Sequence, residues 1–138
     1  MKDIETEIKQ NVLEIIKIIK NEYPGSPSLE KTKLTIKEFQ KSLKIISDPK
    51  IPLKNRQALA RKVMPIQRAV KTLKGSMPEN KFFLFYKNAI EGQSIKSLSI
   101  DYGVDTKTVR RARNLAYKQL SVLLYPDLVI GEIFIVGW

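Results

Sequence analysis

The chain contains no cysteine and no histidine among its 138 residues. It therefore cannot form a disulfide, a zinc finger, a thiolate nucleophile or a Ser-His-Asp triad, and it has no imidazole for acid–base catalysis. The C-terminal half also lacks the gathered carboxylates that a metal-dependent nuclease needs. We therefore expect no enzymatic activity, no cofactor and no metal site.

Long apolar runs are missing as well. No stretch approaches the roughly 18 consecutive apolar residues of a membrane-spanning helix, and residues 1–20 carry acids and lysines throughout, unlike a signal peptide. We expect a cytoplasmic protein with no membrane partner. Because 43% of the residues are hydrophobic, the chain can bury a real core and should fold.

Acidic residues are scarce in the second half of the chain, so the net charge of +11 is unevenly distributed. Residues 1–48 carry a net charge of +1, residues 49–125 carry +12, and residues 126–138 carry −2. A nearly neutral N-terminal segment followed by a strongly basic segment is typical of a protein with one surface facing phosphates. An acidic protein partner or an anionic membrane would be attracted by the same charge.

Apolar residues recur at helical spacing along most of the chain, which predicts an all-α fold. The second helix starts at Ser28 or only at Thr35, which has capping-box spacing to Glu38. In the third helix Pro65 predicts a kink or a fresh start, and Gly75 a C-terminal cap. The predicted helices span residues 3–21, 28–47, 53–74, 81–91, 94–102 and 106–124.

The helices group into two predicted parts followed by a tail. Residues 1–75 form an N-terminal helical part for support or oligomerisation, and residues 76–125 form a C-terminal three-helix domain with the aromatic helix 81–91 closing its core. Residues 126–138 are rich in β-branched and aromatic side chains, which predicts a short strand or an extended apolar tail.

The pattern from residue 94 to residue 120 is that of a helix-turn-helix. Ser94 can cap its first helix, Leu98 faces inward, and the small Ser99 allows the second helix to approach. Gly103 provides the turn. Val104 fills the corner, Asp105 can cap the second helix, and the residues predicted to be buried on that helix are Val109, Ala112, Ala116, Leu120 and Leu123.

The opposite face of the second helix carries cations, which is where a recognition helix presents side chains to the DNA major groove. A solvated basic face is the alternative interpretation. The predicted base-reading residues are Lys107, Arg110, Arg111 and Asn114, because Arg can bind guanine and Asn adenine bidentately. The predicted phosphate contacts are Thr106, Thr108, Arg113 and Lys118 on this helix, Lys96 before it, and Arg68, Lys71 and Lys74 in the basic stretch 50–74.

Residues 77–120 resemble region 4 of bacterial sigma factors. The similarity lies in Pro78 and Glu79 before the first helix, "GQS" at 92–94, "YGVD" at 102–105 and "TVRRARNLAYKQL" at 108–120. The resemblance implies promoter DNA as a partner and a contact with RNA polymerase. The overall layout resembles the phage and prophage late-gene transcriptional regulators of the ArpU/RinA type. Ser99 and Tyr102 depart from the motif, which prefers alanine and leucine there.

These observations predict a sequence-specific double-stranded DNA-binding transcriptional regulator of phage or prophage genes. The alternative is a phage small terminase subunit, a DNA-packaging adaptor, although the DNA-binding module of that family usually comes first. The apolar stripes of the N-terminal helices and the tail predict a homodimer that reads paired half-sites, with folding back onto the chain's own core as the simpler alternative.

Overall fold

The computed structural model describes residues 4–11 and 27–135, and all regular structure in these ranges is helical. This confirms the predicted all-α class. Of the predicted helix 3–21, residues 4–11 are helical (α1) and the remainder lies outside the described residues. The other helices are α2 (Pro27–Ile46), α3 (Leu53–Ser76), α4 (Glu79–Phe85) with a π-helical continuation (Tyr86–Ile90), α5 (Ile95–Tyr102), α6 (Thr106–Leu124) and α7 (Pro126–Ile135). In the described ranges, no helix is long and apolar enough to cross a membrane.

Helix α2 begins at Pro27, so the alternative start at Thr35 is wrong. Thr35 lies inside the helix, where its hydroxyl donates to the Lys31 carbonyl at 2.9 Å and shares a 2.5 Å hydrogen bond with the Tyr125 hydroxyl. The first turns are polar but buried, since Ser28 and Thr32 are both 0% exposed. Packing of these turns against other helices extends α2 beyond the position that a local capping signal favours.

Helix α3 continues through Pro65, where a kink or a fresh start was predicted, and through Gly75, where a C-terminal cap was predicted. Pro65 lies inside one continuous helix, so no fresh start occurs there, and Val63, Val70 and Leu73 keep the apolar face buried on both sides of it. The C-cap predicted at Gly75 is wrong, because α3 continues to Ser76 and the Met77 N–H closes it on the Leu73 carbonyl at 3.1 Å. Met77 is itself buried, which favours one more turn over an earlier stop.

The C-terminal segment is helix α7, so the predicted strand or extended tail is wrong for residues 126–135. Its first turn contains Pro126 and Asp127, two residues that favour helix starts. The β-branched residues that follow are held helical by tertiary contacts, because Val129 and Glu132 are buried. The Glu132 carboxylate accepts two 2.6 Å hydrogen bonds from the backbone N–H and hydroxyl of Ser28, which ties α7 to the first turn of α2.

Two buried clusters meet along α6. The larger cluster contains Phe85, Ala116 and Leu120 together with side chains of α2, α3 and the π-helical turn. The smaller cluster consists of Leu84, Leu98, Val109 and Ala112. Helix α6 therefore packs its first half on α5 and its second half on the N-terminal helices. The division of the chain at residue 75 stays a prediction, and the larger cluster draws residues from both sides of it.

The aromatic helix predicted at 81–91 starts two residues earlier and ends in a π-helical turn. Phe85 is fully buried and meets the Tyr117 ring edge to face at a centroid distance of 5.8 Å. Phe83 is 39% exposed and packs against the Tyr102 ring at 5.0 Å. The predicted role of these aromatics in the core is confirmed for Phe85.

Candidate nucleic-acid interface

The first helix of the motif, α5, has the local structure that its sequence predicts. The Ser94 hydroxyl accepts a 3.1 Å hydrogen bond from the Ser97 N–H, which caps the helix N-terminus. Leu98 is fully buried. The helix ends at Gly103, which adopts the left-handed conformation with φ of 61° and ψ of 33°. A left-handed residue at this point ends α5 and starts the turn to α6, as the glycine position predicted.

The turn leads directly into α6, which packs against α5. The Asp105 carboxylate accepts a 3.0 Å hydrogen bond from the Lys107 N–H and caps α6. Val104 packs against the smaller cluster, as predicted. Ser99 contributes more than small size, because its hydroxyl donates a 2.5 Å hydrogen bond to the Val104 carbonyl. That bond crosses the turn and joins the end of α5 to the start of α6.

A pair of glycine substitutions tests the turn. We expect Gly103→Ala to lower the free energy of unfolding by about 1–2 kcal/mol. The added Cβ would meet open space, so the cost arises only from holding a residue with a Cβ in the left-handed conformation. Gly75→Ala is the matched control. Gly75 also faces open space but lies inside α3, so we expect the substitution to stabilise by about 0.5–1 kcal/mol. Urea denaturation followed by circular dichroism measures both, and two changes of the same sign would contradict this account.

The inward face of α6 is largely the one predicted. Val109, Ala112, Ala116 and Leu120 are each at most 2% exposed. Leu123 is 43% exposed, so its predicted burial is wrong. Ser121 is buried instead, with its hydroxyl donating to the Lys118 carbonyl at 2.6 Å. The buried side turns toward Ser121 because α7 follows directly and α2 packs beside the end of α6.

The opposite face of α6 is an exposed row of polar and cationic side chains. Lys107, Arg111, Asn114 and Lys118 lie on it, and Arg110 lies beside it at about 100° per residue. All five are exposed, and together they form the α6 outer face. Over residues 4–11 and 27–135 the ion pairs are Lys33–Glu30 and Lys87–Glu91. No carboxylate in these ranges forms an ion pair with the α6 outer face, which therefore presents positive charge to an anionic partner.

The predicted phosphate contacts occupy several places. Thr106 is half-buried in the first turn of α6, whereas Thr108 and, on α5, Lys96 are exposed. Arg113 is half-buried beside Tyr117. Burial raises the pKa of the Tyr117 phenol, and the nearby Arg113 guanidinium partly opposes this effect, so the phenol stays protonated at neutral pH.

The three predicted contacts on α3 lie apart from these. Lys71 and Lys74 line a cleft of about 540 Å³ between α2, α3 and α4, and none of its described lining residues belongs to α6. The Arg68 guanidinium contacts the Met64 sulfur at 3.5 Å on the exposed side of α3. In the described clefts, Lys71 and Lys74 are grouped apart from the α6 outer face, and Arg68 lines none of these clefts.

Two cations of α2 were missed by the sequence analysis. Lys33 and Lys37 line a cleft of about 400 Å³ between α2 and α6, opposite Arg113. Lys33 also borders a second cleft of about 210 Å³ with Asn114 and Lys118. The i, i+4 spacing of the two lysines places them on one helix face, but only the packing of α2 on α6 brings that face beside the predicted recognition helix.

Comparison with known proteins adds no constraint. No family model matches the chain, and no curated protein or solved structure is significantly similar to it.

Proposed function

We propose that the protein is a sequence-specific double-stranded DNA-binding transcriptional regulator whose recognition helix is α6. The observation that carries this proposal is the α6 outer face. It is an exposed set of cationic and polar side chains without ion-pair partners among the described residues. The helix that carries it follows a left-handed glycine turn and a capped start, and its other face is buried. Major-groove recognition needs this combination, because the buried face fixes the orientation in which the outer face meets base edges.

Individual roles follow from the chemistry of the side chains. Arg110 and Arg111 can each donate two hydrogen bonds to guanine N7 and O6, and the Asn114 amide can bind adenine N6 and N7. Lys107, in the first turn, is a further base contact. Lys118 lies one turn beyond Asn114, where the groove curves away from a straight helix, and is assigned to phosphate.

The proposal extends to partners and location. The protein acts in the cytoplasm on phage or prophage promoters, and the sigma region 4-like sequence supports an additional contact with RNA polymerase. A homodimer binding paired half-sites is supported by the apolar side chains that α7 exposes, among them Ile130, Ile133 and Phe134. Sedimentation is expected to detect a dimer at micromolar concentration, and a monomer there would remove that part of the proposal.

Selection of bound fragments from the source genome tests the main proposal. Purified protein is mixed with sheared DNA at near-physiological salt, because non-specific phosphate binding persists at low ionic strength and obscures specificity. We expect enrichment of one motif upstream of an operon. If no motif is enriched and affinity is independent of sequence, the assignment of α6 as a base-reading helix is wrong.

A further inference from the structure

The feature that leads beyond the recognition helix is the pair of clefts between α2 and α6. Along these clefts Lys33 lies with Asn114 and Lys118, and Lys37 lies with Arg113. Lys33 lines both clefts and Lys37 lines the one that contains Arg113, so this face of α2 lies along the second half of α6. Lysines of α2 form one rim, and the second half of α6 forms the other.

Both rims are positively charged. The described lining residues of the two clefts include four cations, Lys33, Lys37, Arg113 and Lys118, and no carboxylate. Lys33 pairs with Glu30 on α2, whose carboxylate lies 3.5 Å from the Lys33 ammonium, and both side chains are about half exposed. Such an exposed pair contributes little, so a phosphate can take the place of Glu30 beside Lys33 at small cost.

We propose that α2 is a second DNA-contacting element and that Lys33 and Lys37 bind phosphates of one backbone strand while α6 occupies the major groove. The proposal rests on the proposed function of α6. Packed helices have axes about 8–10 Å apart, and the major groove is about 12 Å wide. A helix lying beside a groove-bound helix therefore comes close to the strand that borders the groove, where lysine side chains can reach its phosphates.

In this arrangement α6 selects the DNA sequence and α2 adds affinity for any duplex. Contacts from Lys33 and Lys37 are independent of sequence, so they add affinity and salt dependence to every duplex without changing the preference among duplexes. The N-terminal helical part thus becomes part of the DNA-binding surface, in addition to any role in support or oligomerisation.

The experiment compares the wild type with three variants of the full chain. The variant under test is Lys33→Ala with Lys37→Ala, and its matched control is Lys54→Ala with Lys62→Ala, which removes the same charge from exposed positions on α3. Arg111→Ala reports on base reading. Dissociation constants are measured against salt concentration on the selected motif and on a scrambled duplex, and thermal melting verifies that each variant is folded.

For the α2 variant we expect the slope of log affinity against log salt to fall in magnitude by about 2, equally on both duplexes. For the α3 control we expect the slope to change by less than half as much as it does in the α2 variant. An unchanged slope in the α2 variant, or an equal drop in the control, overturns the role of α2. If the role of α2 is overturned but Arg111→Ala still loses site preference, the proposed function of α6 stands. A wild type without any site preference overturns the proposed function itself.

Discussion

Replacement of Arg111 by alanine is expected to reduce strongly the preference of the protein for its site. Arg111 lies at the centre of the α6 outer face, is exposed, and has no carboxylate partner among the described residues. Loss of a bidentate contact to guanine costs about 1–3 kcal/mol, which corresponds to a complex with the preferred site that is roughly 5- to 150-fold weaker. Binding to a scrambled duplex should fall much less, so the ratio of the two affinities is the quantity to measure.

Two further variants separate base reading from charge. Arg111→Lys keeps the positive charge but loses the planar fork that matches guanine, so we expect it to lose preference almost as fully as the alanine variant. Arg61→Ala removes an exposed arginine of α3 and should leave the affinity ratio unchanged. Full preference in Arg111→Lys would mean that the side chain at this position acts only as a point charge.

Replacement of Phe85 by alanine is expected to have the largest effect on stability. Phe85 is fully buried in the larger cluster, where its ring meets those of Phe82 and Tyr117 at centroid distances of 6.2 and 5.8 Å. Truncation of a buried phenylalanine typically costs about 3–5 kcal/mol, a large part of the stability of a small domain. Because Phe85 joins α4 to α6, specific DNA binding should weaken at temperatures where the variant is partly unfolded.

The matched control is Phe83→Ala two residues earlier. Phe83 is 39% exposed and contacts Tyr102 on the surface of the motif, so we expect its truncation to cost less than about 1.5 kcal/mol. Chemical denaturation of both variants tests the difference. Similar losses for the two phenylalanines would mean that the larger cluster does not depend on the Phe85 ring.

The helix-turn-helix could be read from the sequence because each of its signals is local. A serine or aspartate cap acts within three residues of itself, and a glycine turn depends only on the backbone freedom of one residue. Ser94, Gly103 and Asp105 therefore occupy the roles that their identities predict. The buried face of α6 followed from helical periodicity, and failed only at Leu123, where the next helix changes the surroundings.

Elsewhere local signals were overruled by contacts between distant residues. The segment after Pro126 has strand-forming composition, yet it is helical because Glu132 binds Ser28, 104 residues earlier in the chain, and Val129 is buried. Likewise Gly75 could have ended α3, but burial of Met77 favours a longer helix. Such contacts outweigh the intrinsic secondary-structure preference of a single residue other than proline, which is worth at most about 1 kcal/mol.

The sequence by itself determined the helical class, the helix-turn-helix and the outward position of Arg110, Arg111 and Asn114, since periodicity, caps and turn residues act over a few positions. Only the tertiary structure decided that α6 belongs to two cores and that Lys33 and Lys37 lie beside it, while Lys71 and Lys74 line a different cleft. The physical reason is that the net charge of a segment does not say which way its side chains face. Packing of α2 against α6 is what places two lysines of a nearly neutral segment beside the predicted recognition helix.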